Sequence, residues 1–345
     1  MSDGDTLLRD ALDSVVRRVD LDVDTARAVM DRFMEGAATP AQVGALLAAL
    51  RTKGETPDEL AGMVMSMRDH ATRVDLGTLQ AVDTCGTGGD GTGTFNISTA
   101  AALVVAGAGC PVAKHGNRAA SSRCGSADVL EALGVAIALR PEGVRRCVEE
   151  AGIGFLFAPA FHPAMRHVGG VRSELGIRTV FNVLGPLANP AHVRHQALGV
   201  GDPALALTMA GVLHRLGHRR AIVFAGPQGI DELGLAGEAQ CHEVTPDGVR
   251  AFTLDPQSLD IPGAPLDALR GGDAQDNAQR IRGILDGEPG PARDVVTLNA
   301  AAALVAAERA PDFAEGLEQA RASIDTGSAR RCLDHLVRIS QAAAA

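Results

Sequence analysis

The chain has 345 residues, of which 46% are hydrophobic and 21% are charged, and its formal net charge is −10. This composition is typical of a globular protein with about two domains, and the acidic balance argues against nucleic acid or an anionic membrane as a partner. Asp3, Asp5 and Asp10 interrupt any apolar leader segment, and the six cysteines form no C-x-x-C pair, so we expect a cytoplasmic protein with reduced thiols.

Residues 1–72 carry the apolar spacing of amphipathic helices. Thr39-Pro40-Ala41-Gln42 and Thr56-Pro57-Asp58-Glu59 each combine an N-cap threonine, a proline at the first helical position and a capping-box partner. Gly54 is expected to end the helix between them. We predict a small all-helical N-terminal domain over residues 1–72.

Residues 73–345 are predicted to form a larger domain in which short β-prone runs alternate with helical patterns. The clearest runs are Gln80–Thr84, Cys110–Lys114, Gly154–Ala158 and Arg220–Gly226. Strands that alternate with helices imply a mostly parallel sheet covered by helices on both faces, with ligands bound at the carboxyl ends of the strands. The predicted fold class is therefore α/β, with the small helical domain in front.

A glycine-rich loop follows the first predicted strand, with five glycines in the eight positions from Gly86 to Gly93. A dinucleotide fingerprint needs an acidic residue about 20 positions later, but positions 106–127 contain no Asp or Glu. A Walker A loop fails too, because Thr92-Gly93 stand where Lys-Ser/Thr is needed. The loop amides, with a helix that Ser98 or Thr99 caps, can still form an anion site. We predict phosphate binding rather than a flexible linker.

Two further polar segments follow later strands. Residues 114–128 contain three cations and several hydroxyl groups, and Lys114 is one of only two lysines in the chain. Asp231-Glu232 follow the run that ends at Gly226. Each segment alone is typical of a solvated loop. Beside a phosphate site, however, they indicate a polyphosphate ligand with Mg²⁺, which prefers carboxylate and phosphate oxygens.

Four motifs, DTCGTGGDGTGTFNIST, KHGNRAASSRCGSADVLEALGV, HPAMRHVGGVRSELGIRTVFNVLGPLANP and GIDEL, occur in this order between about residues 83 and 235. With these motifs the chain resembles the anthranilate phosphoribosyltransferase family of tryptophan biosynthesis. The resemblance implies transfer of the phosphoribosyl group of phosphoribosyl pyrophosphate (PRPP) to the amine of anthranilate, with Mg²⁺ as cofactor. It also implies a homodimer joined through the helical domain, with the segment from about 163 to 190 packed back onto that domain as part of the acceptor site.

The resemblance also implies the site residues. The PRPP site would comprise Gly86, Gly89, Asp90, Thr94, Asn96, Ile97, Ser98, Thr99, Lys114, His115, Gly116, Asn117, Arg118, Ala119, Ala120, Ser121, Ser122 and Ser126. Anthranilate would contact Gly86, Asn117 and Arg172; Ser98, Asp231 and Glu232 would bind magnesium; and Lys114, Asp231 and Glu232 would be catalytic. His167 and Gly169-Gly170 depart from the family pattern, in which Tyr and a residue-Pro pair are common, and this bears on the shape of the acceptor tunnel.

Two other functions stay open at the level of the sequence. A pyrimidine-nucleoside phosphorylase shares this fold, but the NIST and KHGN segments fit it poorly. A non-catalytic nucleic-acid-binding relative is disfavoured by the net charge of −10 and by the intact Asp231-Glu232 pair. For the transferase, Arg172 is expected to hold the acceptor carboxylate, and His115 is either a base or a purely positional residue.

Overall fold

The computed structural model describes residues 3–119 and 123–344. Its N-terminal part consists of four helices, α1 (Asp3–Val16), α2 (Val23–Met34), α3 (Pro40–Lys53) and α4 (Pro57–Asp69). Both predicted capping boxes are present, at Thr39 and Thr56, and Gly54 is the C-cap of α3, so these sequence predictions are confirmed.

The rest of the described chain contains a seven-stranded sheet with the strand order β3-β2-β1-β4-β5-β6-β7. Its strands are β1 (Val82–Gly86), β2 (Val112–Gly116), β3 (Ile153–Phe157), β4 (His195–Gly199), β5 (Arg220–Ala225), β6 (Ala239–Thr245) and β7 (Gly248–Leu254). The first five pair in parallel, and β6 and β7 add an antiparallel hairpin at one edge. The predicted α/β fold class is confirmed, although β1 and β2 begin two residues later than the sequence suggested.

Helices occupy most of the chain between and after the strands. They are α5 (Ile97–Gly107), α6 (Ser126–Ala132), α7 (Pro141–Ala151), α8 (Ala158–Phe161), α9 (Arg166–Leu175), α10 (Phe181–Leu184), α11 (Pro203–Arg215), α12 (Ala274–Leu285), α13 (Pro291–Ala306), α14 (Phe313–Asp325) and α15 (Ser328–Ala344). Within the described residues, no helix combines the length and the apolar character that a membrane crossing requires.

The sheet separates two hydrophobic cores, because successive side chains of a strand point to opposite faces. Ile222 and Phe224 of β5 belong to the core formed with α5, α13, α14 and α15. Ala221, Val223 and Ala225 belong to the second core, which includes α11 and the helices α1–α4. On this side α11 packs against α4, α9 lies against α2 and α3, and α10 contacts α4.

A buried histidine follows α11. His218 is 2% exposed, and its Nδ1 donates a hydrogen bond to the carbonyl of Leu213. Burial lowers the pKa of this imidazole to about 3, and the positive charge of Arg68 acts in the same direction. An unfolded histidine takes up a proton near pH 6.5. The contribution of His218 to stability is therefore complete above about pH 6.5 and is lost as the pH falls towards 3.

We expect the stability of the wild type, relative to a His218→Asn variant, to fall by about 1.4 kcal/mol for each pH unit between about pH 6 and pH 4. The asparagine can still donate to the Leu213 carbonyl but does not titrate. Urea unfolding at several pH values measures the difference between the two free energies of unfolding. A difference that stays constant over this range would show that His218 is not held neutral in the folded protein.

Candidate active site

Three strand ends converge on Asp231 at the carboxyl edge of the sheet. A Cβ atom at Gly86, the last residue of β1, would lie 2.2 Å from the Asp231 carboxylate, and one at Gly199, the last residue of β4, would lie 1.8 Å from the Asp231 carbonyl oxygen. Asp231 itself follows β5. Only glycine leaves room for such a close approach, so these two glycines allow the acidic segment to lie directly on the strand ends.

The two adjacent carboxylates bind the backbone of the glycine-rich loop and of the helix that follows it. The N–H of Gly88 donates to Asp231 Oδ2 at 2.6 Å, and the N–H of Ser98 donates to Glu232 Oε1 at 3.0 Å. Asp231 and Glu232 are only 9% and 7% exposed. The predicted acidic pair and the predicted phosphate loop are therefore parts of one site.

Both carboxylates are destabilised as anions. Burial raises the pKa of Asp231 to about 7, with a further contribution from Asp90. Burial also raises the pKa of Glu232 to about 8, with a contribution from Asp231. A cation bound between such groups would relieve both effects.

This donor set fits a magnesium ion that also binds substrate oxygens. Carboxylate and hydroxyl oxygens are the hard ligands that Mg²⁺ prefers, and Ser98 lies next to Glu232. Over residues 3–119 and 123–344, no cluster of three or more His, Cys, Asp or Glu side chains forms a complete protein cage. One or two carboxylates completed by phosphate and water is the usual arrangement for this ion.

Lys114 lies beneath the loop and is only 1% exposed. Its Nζ donates to the carbonyl of Thr84 and, at 3.3 Å, to Ser98 Oγ. An ammonium group has three N–H donors, so one donor is left for an oxygen of a ligand. The charge is placed beside Glu232, whose pKa it lowers against the effect of burial.

Asp83 is a site residue that the sequence did not reveal. It is fully buried in β1, where Oδ1 accepts from the N–H of His115 and Oδ2 accepts from Asn189 Nδ2. Burial raises its pKa to about 6, opposed by the positive charge of Lys114. Asp83 thus supplies a buried counter-charge to Lys114 and fixes the backbone after it. A carboxylate inside an apolar strand was the available signal, because such residues are rarely buried without a partner.

The start of α5 differs from the sequence prediction. The N-cap is Asn96, without a side-chain capping bond, so the expected caps Ser98 and Thr99 are wrong. The Asn96 oxygen instead accepts from Asn277 Nδ2, and its own Nδ2 donates to the carbonyl of Cys124. Ser98 Oγ accepts from Lys114, and Thr99 Oγ1 is buried without a partner among the described residues. The first turn of the helix is tied to its neighbours instead of being capped locally.

His115 is held as a neutral ring. Its Nδ1 donates to the carbonyl of Gly185 at 3.1 Å, and its ring centroid lies 5.2 Å from that of His162. Burial lowers the pKa of His115 to about 3, with a smaller effect of His162. Such a weak base favours the positional role of His115 over general-base catalysis. His162, the partner in this pair, was not singled out from the sequence.

The loop after β2 is organised around Asn117. Its side-chain oxygen accepts from the N–H of Arg118, and its carbonyl accepts from Ser126 Oγ at 3.2 Å. The guanidinium of Arg118 is paired with Asp128 and Glu131 of α6. The predicted residues Ala120, Ser121 and Ser122 lie outside the described residues.

The other predicted PRPP residues border the same edge. Gly116 ends β2, where a Cβ would lie 2.3 Å from Ser126 Oγ. Ala119 donates its N–H to Asp128. Asp90 accepts from both the N–H and the hydroxyl of Thr92. The remaining three are Gly89, whose carbonyl accepts from Arg178; Thr94, which forms a β-bridge with Arg270; and Ile97, which is wholly buried. Ile97 can reach a ligand only through its backbone.

Arg172 lies on α9 with its guanidinium stacked 4.9 Å from the ring centroid of Phe181. Burial lowers its pKa. Within the described part of the chain, no carboxylate pairs with it. Three residues after this helix ends, Arg178 donates to the Gly89 carbonyl at 2.9 Å. The contact with the glycine-rich loop is thus made by Arg178, which the sequence did not single out. Arg172 is an uncompensated cation stacked on Phe181.

The sequence matches two family models, and both carry the same family description. Residues 9–71 match the helical bundle domain of the glycosyl transferase family, and residues 78–330 match its a/b domain. A curated relative from Thermomicrobium roseum, an anthranilate phosphoribosyltransferase, is 56% identical over 98% of this chain and 98% of its own length.

Solved structures give the same result. The anthranilate phosphoribosyltransferase of Thermus thermophilus superposes with a TM-score of 0.91 at 46% identity, covering 96% of this chain and 99% of the other. The enzyme from Saccharomyces cerevisiae in complex with PRPP and Mg has a TM-score of 0.89 at 27% identity, covering 97% and 98%. A further structure of the yeast enzyme contains 4-fluoroanthranilate, with a TM-score of 0.87 at 26% identity, covering 97% and 98%. The chain belongs to the anthranilate phosphoribosyltransferase family.

Proposed function

We propose that the protein transfers the phosphoribosyl group of PRPP to the amine of anthranilate, giving N-(5-phosphoribosyl)anthranilate and pyrophosphate. The observation that carries this proposal is the convergence of Lys114, Asp231 and Glu232 on one glycine-rich loop, in a chain 56% identical to a curated enzyme of this activity. The reaction requires a site for a polyphosphate donor and a cationic pocket for the acceptor carboxylate. The glycine-rich loop with Lys114 and the acidic pair would form the first, and Arg172 the second.

The glycine-rich loop would bind the pyrophosphate of the donor. Gly88, Gly89, Gly91 and Gly93 all have positive φ, and turns that include such residues can direct several backbone N–H groups at one anion. The N–H of Gly88 is used by Asp231, whereas those of Gly89 and Gly91 make no hydrogen bond within the described residues. Asn117 and Ser126, with the backbone of the loop after β2, would form the second wall of the donor site.

Ser98, Asp231 and Glu232 would hold Mg²⁺ together with oxygens of the donor. When bound, the ion supplies positive charge to the departing pyrophosphate. Lys114 would direct its free N–H at a phosphate oxygen, and the loop amides would donate to others. These groups are fixed before the ligand arrives, so they stabilise the negative charge that develops as the bond to ribose C1 breaks.

The acceptor would lie between the ribose and α9. Arg172 would hold its carboxylate with two parallel N–H···O bonds and so aim the amine at C1. The nitrogen lone pair then forms the new C–N bond while the C–O bond to pyrophosphate breaks. The aromatic amine releases its proton readily once bonded to carbon, and the weakly basic His115 is left to position the neighbouring backbone.

A fluorescence assay tests this function directly. Anthranilate is fluorescent, and the protein contributes little background because it has no Trp and no Tyr. Addition of PRPP and Mg²⁺ to protein and anthranilate is expected to remove the anthranilate emission. Persistent emission, together with phosphate-dependent cleavage of thymidine, would identify a nucleoside phosphorylase instead.

Arg172→Ala is expected to raise the KM for anthranilate by roughly ten- to a hundredfold, the range for losing a charge-assisted pair. The KM for PRPP should change by less than about twofold, because Arg172 faces the acceptor side. Ser173→Ala, an exposed neighbour on the same helix, is the control for a general disturbance of α9. If both substrates are weakened equally, or neither is, Arg172 is structural and the carboxylate is held elsewhere.

We also propose that two copies of the chain associate through the helical domain. Val16 and Val19, at and beyond the end of α1, are 65% and 54% exposed, which is a high exposure for neighbouring aliphatic side chains. Light scattering after size exclusion is expected to give twice the mass of one chain, and Val16→Glu with Val19→Glu is expected to reduce it. A wild-type monomer would contradict this.

All six cysteines are buried thiols, which supports a cytoplasmic location.

A further inference from the structure

A second candidate ligand site lies at the opposite edge of the sheet. A surface cavity of about 270 Å³ is lined by residues 73–77, 79–81 and 191–195 and by Arg219. These segments immediately precede β1, β4 and β5, so the cavity is at the amino ends of the strands whose carboxyl ends form the candidate active site. The five residues of β1 separate the two places, a distance of roughly 17 Å.

The cavity is lined by more positive than negative groups. Arg73 makes no hydrogen bond or ion pair within residues 3–119 and 123–344, and Arg194 donates only to the neutral carbonyl of Gly217, at 3.0 and 2.8 Å. Arg219 is paired with Glu308 at 2.6 Å. Asp75 is the carboxylate of the wall. Arg73 and Arg194 therefore have no carboxylate partner among the described residues, and the wall as a whole is positive, in a chain whose net charge is −10.

Histidine and aliphatic side chains complete the wall. His195 is 3% exposed and donates from Nδ1 to the carbonyl of Ala306, while Nε2 of His192 is buried without a partner among the described residues. Burial lowers the pKa of both rings, so the positive charge of the cavity comes from arginine. The buried side chains of Val74 and Val193 give the cavity an apolar floor.

We propose that this cavity binds a small oxyanion, a phosphate or a carboxylate, held by Arg73 and Arg194. The planar guanidinium group matches the paired oxygens of both ligand classes. The volume lies just below the range of pockets for drug-sized molecules, which indicates a small ligand. Because Arg73 lies on the segment that joins α4 to β1 and Arg194 precedes β4, the bound anion would cross-link the two segments.

Segment-resolved hydrogen exchange and calorimetric titration test the proposal, with orthophosphate and citrate as probes and chloride at the same ionic strength as reference. We expect at least one probe to slow amide exchange in residues 73–81 and 191–195. Protection by phosphate alone would identify a phosphate compound as the ligand, and protection by citrate alone a carboxylate. Exchange in these segments is measured separately from exchange in residues 86–98. Phosphate bound at the candidate active site is therefore not mistaken for an anion bound in the cavity.

Two variants with opposite expected signs make the test specific. Arg73→Gln should weaken the binding that protects these segments about tenfold, the effect of losing one charge-assisted contact. It should leave the melting temperature without anion unchanged, because Arg73 has no partner to lose. Asp75→Asn keeps the oxygen that accepts from the N–H of Gly77 but removes a repelling charge, so it should tighten binding about threefold.

Arg51→Gln is the matched control, since Arg51 is an exposed arginine on α3 outside the cavity, and it should bind like the wild type. The proposal is overturned if neither probe protects the two segments at up to about 10 mM. Equal protection by chloride, or unchanged affinity in Arg73→Gln, would overturn it as well.

Discussion

The double substitution Asp231→Asn and Glu232→Gln is expected to lower kcat/KM by at least about a thousandfold while the protein stays folded. The amides keep an oxygen that can accept from the N–H groups of Gly88 and Ser98, so the local backbone should persist. They remove the negative charge on which magnesium affinity depends. With less Mg²⁺ bound, less positive charge would stabilise the departing pyrophosphate.

Stability and activity are expected to move in different directions in this variant. Burial raises the pKa of Asp231 to about 7 and that of Glu232 to about 8. Raised carboxyl pKa values mean that these groups oppose folding increasingly as the pH rises from about 4 to these values. Uncharged amides should therefore leave the melting temperature without Mg²⁺ unchanged or higher. The control is Glu238→Gln, an exposed carboxylate in the following loop, and double-variant activity within tenfold of the wild type at saturating Mg²⁺ would refute the metal assignment.

Lys114→Arg is expected to reduce kcat/KM for PRPP about a hundredfold although the charge is kept. The ammonium group is 1% exposed and fits between the Thr84 carbonyl and Ser98 Oγ. A guanidinium is larger and has five N–H donors to satisfy. Overpacking of a buried position costs about 1–3 kcal/mol, and a misplaced charged hydrogen bond a similar amount.

The chain provides its own control for this substitution, because Lys53 is its other lysine. The Lys53 side chain is 4% exposed and pairs with Asp20 at 2.6 Å and with Glu59 at 3.0 Å, within the helical domain. Lys53→Arg should leave kcat/KM for PRPP within about twofold, since arginine also pairs with carboxylates. Equal kinetic losses in the two variants would mean that Lys114 matters for packing and not for the donor.

The parts of the fold that could be predicted are those with local signals. Capping boxes at Thr39 and Thr56 depend on neighbouring residues only. Strand β4 was not predicted because His195 and Gln196 make its sequence polar. Their side chains are satisfied by carbonyls outside the strand, those of Ala306, which is distant along the chain, and of Pro186. The β6–β7 hairpin was missed although its turn ends in Asp247-Gly248, a dipeptide typical of hairpins.

The candidate site likewise has parts that the sequence predicts and parts that it does not. A parallel sheet brings the ends of its strands to one edge, so the sequence could place the glycine-rich loop, Lys114 and the acidic pair together. Asp83, Asn189 and Arg178 act through hydrogen bonds between segments far apart in the chain. The predicted capping role of Ser98 is wrong for the same reason. Its hydroxyl accepts from Lys114 and its N–H donates to Glu232. Contacts of this kind are decided by tertiary packing, which spacing along the chain does not encode.

The second hydrophobic core limits which domains can be exchanged between related enzymes in a chimera. It runs without interruption from α1–α4 through α11 to Ala221 and Val223 of β5. A chimera that grafts the helical bundle of another enzyme onto this sheet would meet a foreign surface along the whole of that contact, not only at the covalent junction. Compatible transplants would need to carry α11 and the inward residues of β5 with the bundle. Substitutions in the first 72 residues are therefore expected to be coupled in evolution to substitutions in α11 and β5, more than a hundred positions later.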